Sequence, residues 1–171
     1  MQYREAPETG TEKETLVAFL DNQRAIMQWK LQGLTVAHGQ QTTGHSDTSL
    51  FGLVKHMAVV ERWWFVANFM GGEFKHSYDF EADRDAEFRP DPDDTVESII
   101  NDYDDAIATA DAIIASADLD DLAVKERRNT GVRPSMRWIL LHMIEETSRH
   151  AGHADILREI VDDTTGYLPT S

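Results

Sequence analysis

Cysteine is absent from the 171-residue chain, which excludes disulfides, thiolate metal sites and a protein-borne sulfur nucleophile. Any thiol chemistry must therefore use sulfur that arrives on a small molecule. Basic residues are scarce: 16 Lys and Arg stand against 31 Asp and Glu, a formal charge of −15. Phosphate backbones and anionic headgroups bind clustered cations, so nucleic acid and membrane surfaces are not expected as partners. No apolar run approaches the roughly 18 residues of a membrane span, and the N-terminus has no basic, then apolar, leader; a soluble, cytoplasmic protein is expected. Proline is also rare, with five in the chain. None interrupts "EETSRHAGHADILRE" (145–159), which reads as helix.

What is present is enough apolar residue for one core. The apolar share is 41%, with four tryptophans, and this length supports a single domain over 1–171. Residues 1–10 are polar, contain Pro7 and Gly10, and predict a loose arm. From Thr11, apolar residues at three- and four-residue steps (Leu16, Phe19, Leu20, Ile26, Met27, Leu31) predict a helix that Gly33 ends. Residues 34–48 predict a loop. A second helix is expected from Ser49 to Phe69, stopped by Gly71 and Gly72. The acidic, proline-bearing stretch 73–93 has no period. A third helix starts near Asp94, with Asp94 and Glu97 spaced as a capping box, and runs to Ser116. Its many aspartates are assigned to a solvated face. After a loop over 118–132, a fourth helix opens at Pro134, in its first turn, and runs to Val161. Four long helices without a convincing strand predict an all-α four-helix bundle.

On the last helix, ionisable residues share a stripe with apolar ones. With His142 at zero, Glu146 falls at about 40°, His150 at about 80°, His153 at about 20° and Arg149 at about 340°. Trp138, Ile139, Ile156, Leu157 and Ile160 occupy the same arc, so the stripe is expected to face the core. His56 sits on the most apolar face of the second helix, among Leu53, Val60, Trp63 and Trp64. A lone core histidine is more often satisfied by a carbonyl or water than by a metal. Two helices that each bury ionisable groups change that balance, because burying them unpaired costs many kcal/mol and a divalent cation offsets it.

Geometry narrows the ligands. Glu146 and His150 lie one turn apart, a rise of about 6 Å that two side chains can close onto one ion; His142 and His150, about 12 Å apart, cannot. One such adjacent pair from the fourth helix, with His56 from the second, would leave an open coordination position of the kind catalytic metals keep. The HExxH signature is absent, the two Glu-x-x-His pairs of a di-iron bundle are not found, and there is no nucleophile elbow or glycine-rich phosphate loop.

The segments "SLFGLVKHMAVVERWWF" (49–65) and "PSMRWILLHMIEETSRHAGHADILREIVDDTTG" (134–166) resemble the DinB-like superfamily of metal-binding four-helix bundles. Within it, the likeness is to the actinobacterial branch of mycothiol-dependent enzymes, and it extends from Glu12 to Gly166, including "LVAFLDNQRAIMQWKLQGL". The resemblance places the family's metal ligands on His56, Glu146 and His150, with glutamate where another form has histidine. That His, Glu, His set is similar to the mycothiol-dependent maleylpyruvate isomerases. It implies a divalent metal, zinc foremost with nickel or iron as alternatives, and mycothiol or a related thiol as co-substrate. The implied activity is metal-dependent S-transfer onto a small electrophile in detoxification. His153 then lies beside the ligands as a catalytic, proton-transfer candidate, with His142 and Arg149 weaker candidates. Three alternatives stay open: an isomerase of an unsaturated diacid, which would need cations such as Arg24, Arg62 or Arg149 at the pocket; a non-enzymatic metal- or ligand-binding stress protein; and a non-haem iron oxygenase. Related bundles often pair, so a homodimer is an expectation too.

Overall fold

Each long helix begins where a hydroxyl side chain can accept from otherwise unpaired backbone N–H groups. The computed structural model describes residues 2–166 apart from His45, Phe74, Lys75 and Ser77; Met1 and residues 167–171 of the expected domain lie outside the described residues. Helix α1 (Glu12–Trp29) is capped by Thr11, which forms a reciprocal capping box with Glu14. The following turn ends at Gly33, whose φ of 75° only glycine adopts freely. A short helix, α2 (Val36–Gln40), then interrupts the segment expected as loop. Five residues are too few to display a period.

Helix α3 (Leu50–Glu61), capped by Ser49, is buried nearly all round. It continues as a π-helical stretch over Arg62–Phe69, so the expected single helix is there with a change of winding. Helix α4 (Val96–Ser116) starts one residue later than expected. Its capping box pairs Thr95 with Ser98, not Asp94 with Glu97. Asp94 is instead drawn to Lys55, whose Nζ donates to it at 2.7 Å. Helix α5 (Met136–Asp162) is capped by Ser135, which leaves Pro134 ahead of the cap and outside the first turn. Among the described residues, the only extended pairings are isolated bridges, Thr42 with Ser49 and Leu122 with Ser135.

The four long helices form an all-α bundle, as expected. α1 packs along α5, and α3 along α4 and α5. Leu20, Met27, Phe51, Met57, Ile139 and Met143 are completely buried between them, each contributing about 1.5–3 kcal/mol through burial. The arm is not wholly loose, because Tyr3 packs against this core. The α4 aspartates are not simply solvated either: Asp111 accepts from the buried Arg24 at 2.8 Å, and Asp102 accepts from Arg62 at 2.8 Å. No helix among the described residues is long and apolar enough to cross a membrane.

One close approach sets up the site. A 3-10 turn at Ala86–Phe88, within the aperiodic acidic stretch, packs on α3 at Gly52. A Cβ on Gly52 would stand 1.9 Å from the Phe88 carbonyl oxygen. Only the missing side chain lets this turn reach the helix face that carries His56, one turn further along.

Candidate metal centre

His56 projects from the middle of α3, and Glu146 and His150 from successive turns of α5. Their donor atoms lie within 4.8 Å of one another. Glu146 Oε1 is 3.5 Å from His56 Nε2 and 3.2 Å from His150 Nε2. Both histidines are buried and Glu146 is half-buried. The three residues singled out from the sequence are therefore brought together.

His56 Nδ1 lies 2.6 Å from Glu87 Oε1. A carboxylate only accepts, so Nδ1 carries the proton and the lone pair of Nε2 faces Glu146 and His150. That Nε2 is buried without a hydrogen-bond partner, as is His150 Nδ1. Leaving a buried polar atom unpaired costs about 1–3 kcal/mol. A divalent cation among the three side chains would satisfy the orphaned nitrogen and take the place of the Glu146–His150 contact. The donor set, two imidazoles and a carboxylate with an ordering carboxylate behind one imidazole, fits such an ion.

The charge states suit it too. Burial, followed by repulsion from His56, pulls the His150 imidazole below its ordinary value and favours the neutral, ligating form. Burial pushes the Glu146 carboxyl up, but the His150 and His56 imidazoles outweigh it and hold it below its ordinary value. Phe88 stacks on the His56 ring at 4.1 Å between centroids and closes that side to water.

The expected core-facing stripe is rotated. His153 is exposed, and so are Arg149, Ile156 and Ile160. The buried arc runs through Ile139, Met143, His150 and Leu157. Its direction is set by where α1 and α3 lie against α5, which the pattern of α5 alone does not encode. His153 keeps an edge contact with His150, at 5.5 Å between ring centroids. His142 stacks instead on Trp138 at 5.0 Å and meets Trp64 edge-on at 4.8 Å. Arg149 Nη1 stands 3.8 Å from Glu146 Oε2.

Sequence reading missed Glu87 and Phe88. Both lie where no period exists, and Glu87 is one carboxylate among many. Only the docking of its turn at Gly52 distinguishes it.

No curated protein matches the chain at a significant level. A family model described as mycothiol-S-transferase matches residues 15–163, a span that contains His56, Glu87, Glu146 and His150. With that match over most of its length and an all-helical bundle, the chain belongs to the mycothiol-S-transferase family, within the DinB-like superfamily.

Proposed function

We propose that this protein uses a divalent cation held by His56, Glu146 and His150 to activate mycothiol, or a related low-molecular-weight thiol, for attack on a small electrophile in detoxification. The supporting observation is a convergent donor set of two imidazoles and one carboxylate in a chain of this transferase family. When bound, the cation would lower the pKa of a thiol offered to its open position, so that thiolate exists at neutral pH. Zinc suits such a site, and nickel or iron accept the same donors.

The chain's own residues prepare the site. Glu87 holds His56 in the ligating tautomer, and Phe88 backs its ring. Arg149 steadies the second Glu146 oxygen. His153, with its ring beside that of His150, is our candidate for moving the proton that the thiol loses.

The diacid-isomerase alternative finds little support in the arginines it would need. Arg24 is buried in a bidentate pair with Glu61, both bonds at 2.7 Å. Arg62 is bound to Asp102 and Asp105, and Arg149 to Glu145 and Glu146.

The test is to load purified protein with zinc and measure conjugation of mycothiol to several model electrophiles. His56→Ala and His150→Ala are expected to remove the metal, read by elemental analysis. His153→Ala should keep the metal and lose turnover, by at least about tenfold. Stoichiometric zinc with no conjugation to any electrophile would refute the transferase reading. Full metal retention in both ligand variants would refute the site.

A further inference from the structure

A cavity of about 310 Å³ runs along α5, lined by Thr43, Ser46, Thr48, His153, Ile156 and Leu157. His153 belongs to two surroundings at once: it forms part of this wall, and its ring touches that of His150. An occupant of the cavity therefore lies one side chain away from the donor set. Across Ser46 and Thr48 lies a second cavity of about 270 Å³, whose walls include Asp47, Asp85 and Arg89. The two spaces differ in chemistry: the first has hydroxyls, an imidazole and two aliphatic side chains, and the second carries formal charges.

A two-substrate transferase must bring its electrophile against the sulfur held at the metal. We infer that the α5 cavity is the electrophile subsite and that it takes small, neutral, apolar electrophiles, such as aryl or alkyl unsaturated carbonyl compounds. This rests on the thiol-transfer reading and adds to it the class of second substrate.

Three observations point to that class. Ile156 lines the cavity and is 57% exposed, so an apolar ligand there would cover part of that apolar area. Among the described residues, the wall offers no Lys or Arg to an anion. The guanidinium in the neighbouring cavity, Arg89, is taken by Asp83 at 2.5 Å and Asp47 at 2.8 Å, and the chain's charge of −15 repels anions further. The volume, at the small end for ligand clefts, admits about one ring with its substituents. With a maleimide as electrophile, the sulfur lone pair forms the C–S bond and the C=C pair moves to the adjacent carbon. That carbon gains a proton equivalent to the one the thiol lost, so nothing is oxidised.

The experiment has a binding arm and a turnover arm. N-phenylsuccinimide, an unreactive analogue of N-phenylmaleimide, is titrated into the protein while the isoleucine and leucine methyl signals are followed by NMR. Shifts at Ile156 and Leu157 are expected. In zinc-loaded protein with mycothiol, Ile156→Asp should lower kcat/KM for N-phenylmaleimide by roughly tenfold. Mycothiol affinity and zinc content should stay unchanged. Iodoacetate should be a poorer substrate than iodoacetamide for the wild type. Conjugation by the wild type without methyl shifts, and with equal kcat/KM in Ile156→Asp, would overturn the subsite while leaving thiol transfer standing. Binding at Ile156 without conjugation of any electrophile would overturn the electrophile assignment together with the thiol-transfer reading.

Discussion

Replacing Glu87 with alanine should weaken metal binding without removing a ligand. Glu87 Oε1 accepts from His56 Nδ1 at 2.6 Å, and the Glu87 side chain is only 13% exposed. Water would therefore replace the carboxylate poorly. Loss of such an orienting carboxylate typically costs about 10–100-fold in metal affinity, or about 1.4–2.7 kcal/mol. Phe88 still stacks on the ring in the variant, so His56 keeps its position while losing its fixed tautomer and part of its basicity. Glu87→Gln retains an accepting oxygen but not the charge, and should fall between wild type and Glu87→Ala. The assay is competition for zinc against a chromophoric chelator, with thermal melts of the apo-proteins to show that the fold is intact. An unchanged zinc affinity in a folded Glu87→Ala protein would refute the reasoning. A loss as complete as that of His56→Ala would refute it too, because Glu87 would then be a ligand.

Gly52→Ala should reproduce much of the Glu87→Ala effect from a distance, since its Cβ would collide with the Phe88 carbonyl and lift the turn that carries Glu87; zinc affinity equal to wild type would count against that route. Glu61→Ala leaves the Arg24 charge in a site with 0% exposure, and breaking a buried pair in this way costs about 3–5 kcal/mol. Asp21 and Asp111 still contact Arg24, so a drop in Tm of roughly 10 °C is expected, measured by calorimetry; a drop of only a degree or two would refute it. Apo-protein stability should fall on acidification in two stages. His150 and His142 are held below their ordinary 6.5, chiefly by burial. The folded state then binds fewer protons than the unfolded chain, and stability complete above that value is lost as pH falls toward the folded pKa values. Glu146, held below its ordinary 4.5, adds a second loss at lower pH with the same sign. Melts from roughly pH 7.5 to 5 should slope less steeply for His150→Asn than for wild type; equal slopes would remove His150 from this account.

The sequence by itself determined the four long helices and the metal-ligand candidates. Apolar steps of three and four residues lay down α1, α3, α4 and α5 because helical period and side-chain burial are local consequences of order along the chain. The spacing of Glu146 and His150 is equally local, and His56 stood out as a histidine on the most apolar face of its own helix. Boundaries were legible only to within a residue or two, as at Thr95 and Ser135, because several hydroxyl and carboxylate residues compete for each cap. Tertiary structure alone decided which edge of the α5 stripe is buried, sending His150 inward while His153 lies open beside the α5 cavity. It alone recruited Glu87 and Phe88, from a stretch without period, to the face of His56. The reason is physical. Period fixes the angle between side chains on one helix, whereas burial and partnership depend on what is packed against that helix, and here a missing Cβ at Gly52 lets the 86–88 turn pack.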